Sequence, residues 1–165
     1  MKRVAVSAVL LLAAVALSTV RVSAGDPLVG TWKTNIEKSK YSPGPPPKGP
    51  NTQKIEAVEN GMKMVADGVN AKGQKTHNEY TLRYDGKDYP QNPTVDGKPS
   101  PDAADTISAK KIDEYTREIT VKRKGVVTVT IKDVLSKDGK TRAGTVTGKN
   151  AEGQAINNVV VWEKQ

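Results

Sequence analysis

His77 is the only histidine in the 165-residue chain, and it alternates with Glu79 along Thr76 to Tyr84. An imidazole beside a carboxylate could start a general base or a metal site, but either needs further partners at matching geometry. The sequence has no Gly-x-Ser-x-Gly elbow, no His-x-x-x-His pair and no phosphate-binding glycine loop. The alternation instead sets His77, Glu79, Thr81 and Arg83 on one polar, solvated strand face. Asp85 with Asp88, and Asp102 with Asp105, flank turns at spacings unlike any calcium loop. Glu56, Glu79 and Glu118 lie on separate segments, so only the fold could bring two of them together as glycosidase carboxylates. No activated nucleophile is visible, so the chain reads as non-catalytic, with no cofactor and no metal site expected.

The opposite face of the same segment carries Thr76, Asn78, Tyr80, Leu82 and Tyr84. If that face points inward, Tyr80, Leu82 and Tyr84 join Met62, Met64 and Trp32 as candidate walls of a ligand pocket. Met adapts to irregular ligands, and Tyr places a hydroxyl inside an apolar wall. The implied ligand is a small amphipathic or hydrophobic molecule. A filled core is the alternative, because a barrel of about eight strands is just wide enough for side chains to fill. The chain has no Phe and only 4 % aromatic residues, so bulky fillers are scarce. That leaves either a ligand-holding cavity or a barrel collapsed on Val, Ile and Leu.

Short alternating segments separated by glycine-bearing turns must position these residues. The turns end at Gly61, Gly73, Gly86, Gly125, Gly139 and Gly153, spaced by 12, 13, 39, 14 and 14 residues. Outside the one wide gap, that is the rhythm of an up-and-down antiparallel sheet. Leu28 to Asn35 reads as the first strand, and Ile36 to Lys40 as a single helical turn. Residues 43–50 are rich in proline and read as an extended arm, either a spacer or a lid over the barrel mouth. Lys54 to Val58 and Met62 to Ala66 form the first hairpin. Residues 87–103, with four prolines, read as a long loop filling the wide gap. Asn70-Ala71-Lys72-Gly73-Gln74 recurs as Asn150-Ala151-Glu152-Gly153-Gln154, which is one hairpin turn used twice. The whole predicts a single all-β domain, an antiparallel up-and-down β-barrel of about eight or nine strands.

Residues 1–24 have the form of an export signal. Lys2 and Arg3 precede an apolar run from Val4 to Leu17, and Val22-Ser23-Ala24 offers small residues for cleavage. The run is too short for a transmembrane helix. Cleavage after Ala24 would leave residues 25–165, a length suited to one core. With no Cys there is no disulfide, thiolate or lipid-modified cysteine. The expected product is soluble, periplasmic or extracellular, and not a lipoprotein. The net charge of +8 includes three signal cations, leaving +5 on the remainder. Its lysines are scattered, and aromatics are too few to interleave with them, which argues against nucleic acid. Scattered lysine blunts sheet edges and allows a loose attraction to anionic envelope surfaces.

Gly30-Thr31-Trp32-Lys33 resembles the first strand of the calycin group, the lipocalins and fatty-acid-binding proteins. There the indole plugs the closed end of the barrel. Val160-Val161-Trp162-Glu163-Lys164 is similar to the last strand of the fatty-acid-binding proteins, which closes against the first. A fuller likeness is to small exported bacterial lipocalin-like proteins. It rests on the Gly30–Pro45 pattern, on Asp85-Gly86-Lys87-Asp88-Tyr89-Pro90 and on Ser136-Lys137-Asp138-Gly139-Lys140-Thr141. The resemblance implies a calycin-type barrel with Trp32 near its closed end, carrying a ligand. Two other readings stay open: a cell-envelope structural or interaction module with a filled barrel, and an unrecognised hydrolase.

Overall fold

The structure, a computed structural model, describes residues 25–100, 103–150 and 153–165. The expected export signal lies outside the described residues. Among them there is no helix, and every element belongs to one antiparallel sheet.

Nine strands are long: β1 (Gly30–Lys40), β2 (Gly49–Val58), β3 (Gly61–Val69), β4 (Lys75–Arg83), β8 (Thr106–Lys111), β9 (Thr116–Arg123), β10 (Val126–Leu135), β11 (Thr141–Lys149) and β12 (Ala155–Lys164). Three more have two residues each: β5 (Tyr89–Pro90), β6 (Thr94–Val95) and β7 (Lys98–Pro99). The sheet order is β5-β8-β9-β10-β11-β12-β1-β2-β3-β4-β6-β7. Twelve strands therefore replace the expected eight or nine, because the proline-rich stretch 87–103 is not a plain loop. Pro90 and Pro99 sit at strand ends on the margin of the sheet, where a missing N–H costs no ladder bond.

The first and last long strands pair as expected, with Trp32 opposite Lys164 and Thr34 opposite Trp162. The expected helical turn over Ile36 to Lys40 is instead the second half of β1. Its local hydrogen bonds survive inside the strand: Lys38 N–H donates to Asn35 Oδ1 at 3.0 Å, and Ser39 Oγ donates to the Asn35 carbonyl at 2.6 Å. Ser39 Oγ then accepts from Val161 N–H at 3.0 Å, so the irregularity is absorbed as a register shift against β12. The arm is also shorter than its proline content suggests, since β2 begins at Gly49.

The sheet curls until its two sides approach. Asp85 bridges Lys110, and Gly86 N–H donates to the Ala109 carbonyl at 3.1 Å. Between β4 and β8 the link is a side chain. Gln91 is buried, accepts from Asn78 Nδ2 at 2.8 Å and donates from Nε2 to the Thr106 carbonyl at 3.3 Å.

The twin Asn turns are alike in detail. Asn70 Oδ1 accepts from Gln74 N–H at 3.0 Å, and Asn150 Oδ1 accepts from Gln154 N–H at 2.8 Å. In each, the amide of Asn also reaches the Gln side chain. One turn chemistry explains the repeated sequence.

Candidate functional site

The core lies toward one end of the curled sheet, where the segment before β1 tucks in. Leu28 is buried, and its carbonyl accepts the indole N–H of Trp32 at 2.8 Å. Trp32 itself is fully buried. Across the inner face, Met62 pairs with Leu82 and Met64 with Tyr80, and all four are buried. Tyr84, just beyond β4, packs against this cluster while partly exposed. The alternation of β3 and β4, with Trp32 from β1 and Tyr84 just beyond β4, brings the six wall residues expected from the sequence to one core.

That core also contains charges the sequence reading did not assign. Arg117, Asp133 and Arg142 are buried on the inner face among apolar side chains. Their signal was phase. Arg117 falls between Tyr115 and Ile119 at alternate positions, Asp133 between Ile131 and Leu135, and Arg142 two residues before Gly144. Gly144 makes room for its neighbour: a Cβ there would lie 2.9 Å from the Trp162 ring.

Each arginine has a carboxylate. Arg117 Nη2 donates to Asp26 Oδ1 at 2.7 Å, and its Nε donates to Tyr84 Oη at 3.3 Å. Burial works against the Arg117 charge, but Tyr84 and Asp26 outweigh it and hold the guanidinium pKa above its ordinary value. Arg142 Nε lies 3.2 Å from Asp133 Oδ1, with both side chains 5 % exposed. That N–H is not aligned for a hydrogen bond, so the pair is held by charge. Arg142 Nη2 donates to Gln53 Oε1, and its guanidinium lies 4.4 Å from the Trp162 ring centroid and 5.4 Å from that of Trp32.

Burial pushes the Asp133 carboxyl up and the Arg142 guanidinium down, while each partner pulls the other back toward charge. Burial likewise raises the Tyr80 phenol, whose hydroxyl meets Met64 Sδ at 3.7 Å. Because the folded pKa of Asp133 is raised, its stabilising contribution is present at low pH and lost as pH rises through that value. Exposed Asp85, Asp113 and Asp138 are lowered by backbone or side-chain hydrogen bonds, so theirs is lost as pH falls. Asp133→Asn removes the opposing contribution. Its stability, followed by urea unfolding from pH 7 downward, should fall more steeply with acid than that of the wild type.

The space left among these groups is small. A cavity of about 80 Å³ is lined by Met62, Met64, Tyr80, Asp133, Arg142 and Trp162, among others. Trp32, Leu82 and Tyr84 do not line it. A larger groove of about 560 Å³ lies at the other end of the strands, bordered by Val126, Val127, Val129, Lys124 and Lys149.

The catalytic candidates stay apart. His77 Nδ1 meets Asp67 Oδ1 at 2.8 Å on the outer face, while Glu79 pairs with Lys63 and Glu56 with Lys54. Asp85 accepts from Lys87 N–H and Tyr89 Oη, and Asp105 accepts from Lys124 N–H, which are turn roles. Asp102 lies outside the described residues.

No family model, curated protein or solved structure matches this chain.

Inside, the site offers buried charge pairs and little room. At the rim, it offers exposed valines beside lysines.

Proposed function

We propose that this chain is an exported, non-catalytic module of the cell envelope, folded as a closed calycin-type barrel whose interior is packed. The observation that carries this reading is the interior volume of about 80 Å³. Pockets for drug-sized molecules run from about 300 to 1,000 Å³. The carrier reading, with an amphipathic ligand against Trp32, Met62, Met64, Tyr80, Leu82 and Tyr84, would need the interior to swell roughly fourfold. The paired charges argue the same way, since displacing Gln53 or Asp133 from Arg142 would strand a buried guanidinium.

Closure is supported by the β1–β12 pairing and by the Gln91 link between β4 and β8. Export is supported by the form of residues 1–24. The contact surface in this reading is the rim. Val126 and Val127 are 68 % and 52 % exposed there, beside Lys124 and Lys149. Its basic character suits an anionic envelope partner.

Native mass spectrometry of protein purified from its own host tests the reading. Bare polypeptide is expected. An amphiphile that co-purifies reproducibly would return the barrel to the carrier class.

A further inference from the structure

The cavity beside Arg142 has more hydrogen-bonding capacity than the chain itself uses. Arg142 Nε and Trp162 Nε1 are both buried donors that make no hydrogen bond within the protein. Their residues are 5 % and 8 % exposed, and both line the cavity together with Gln53, Tyr80 and Asp133. Buried donors are almost always matched, by protein or by a bound molecule, because an unmatched one has given up its water for nothing.

The charge balance says what kind of molecule fits. Arg142 faces Asp133 at 3.2 Å and Arg117 faces Asp26 at 2.7 Å, so each buried cation already has its anion. An entering anion would find no surplus positive charge and would have to leave its own hydration behind. A neutral acceptor meets no such penalty. The volume of about 80 Å³ equals the liquid share of about two or three waters. Met62, Met64, Ile119 and Ile131 supply an apolar wall on which a short carbon chain could rest.

We propose that this cavity is a binding site for a small neutral molecule that presents an acceptor oxygen to Arg142 Nε and Trp162 Nε1, either water or a short-chain alcohol. The site is separate from the envelope reading above. An interior closed to amphiphiles still holds a molecule of this size, and the two ideas fail on different results.

The test follows the two indole N–H resonances of the ¹⁵N-labelled protein. Trp32 is the internal control, because its N–H is already bonded to the Leu28 carbonyl. The Trp162 indole proton should show cross-relaxation to a long-lived water, whereas the Trp32 proton should not. Titration with 2-propanol separates the sources. A saturable shift of Trp162 alone, with loss of the water signal, means the alcohol takes the site. A persistent water signal with no shift means water is the occupant. Ile131→Phe adds bulk to the cavity wall while keeping both donor residues and should remove whichever signal is seen, while Trp162→Phe should leave the Trp32 resonance in place. A Trp162 proton that shows neither water contact nor a response to 2-propanol overturns the proposal. So does a response that persists unchanged in Ile131→Phe.

Discussion

Replacing Asp133 by alanine should lower the free energy of unfolding by about 3–5 kcal/mol, because it leaves a buried guanidinium without its carboxylate. Asp133 and Arg142 are each 5 % exposed, so water cannot take over the lost role without opening the core. Gln53 and the two indoles remain around Arg142, but none of them carries negative charge. The same reasoning predicts a recovery. The double variant Asp133→Leu, Arg142→Met exchanges both charges for apolar bulk and should return to wild-type stability or exceed it by about 1–4 kcal/mol. Urea unfolding of the wild type, the single variant and the double variant measures both effects. A single variant within about 1 kcal/mol of wild type would mean that the pair is already solvated.

Trp32→Ala should be comparably severe, at about 3–5 kcal/mol, through lost apolar burial and the cavity left behind. Trp32 is fully buried: Leu28 takes its N–H, and Arg142 lies 5.4 Å from its ring centroid. Its removal therefore frees both the segment before β1 and one wall around the guanidinium. Trp32→Phe keeps one aromatic ring but drops the pyrrole part and its N–H, so it should recover most of the loss. A Trp32→Ala protein that unfolds at the wild-type urea midpoint would show that this end is held elsewhere, with Asp26 and Arg117 the first place to look.

Much of this architecture could be read from the chain. The period-two pattern of Thr76 to Tyr84 put Tyr80 and Leu82 on the inner face, and glycine turns set the hairpins that bring Met62 and Met64 opposite them. The Trp-bearing segments at either end of the barrel region were legible as partners, and they pair. Three things were not legible, each for a physical reason. Ile36 to Lys40 has the Asn and Ser hydrogen bonds of a turn, and only the neighbouring strand β12 makes it extended. The short strands β5, β6 and β7 have too few residues to show any period, and their pairing is imposed by the rest of the sheet. Arg117, Asp133 and Arg142 look like surface residues by type. Alternation placed them inward, but their burial depends on partners far away in sequence, such as Asp26 and Gln53. The scarcity of aromatic residues left a ligand-holding cavity and a collapse on Val, Ile and Leu both open, and neither anticipates that long charged side chains occupy part of the interior.

The packed interior is best tested at the methionine methyl groups. Met62 and Met64 line the remaining cavity from β3, and their ¹³C methyl resonances would report anything that entered it. Titrating labelled protein with decanoate or a ten-carbon neutral detergent should leave both resonances unmoved at concentrations below micelle formation. A saturable shift of either one, weakened by Ile131→Phe, would contradict a filled barrel.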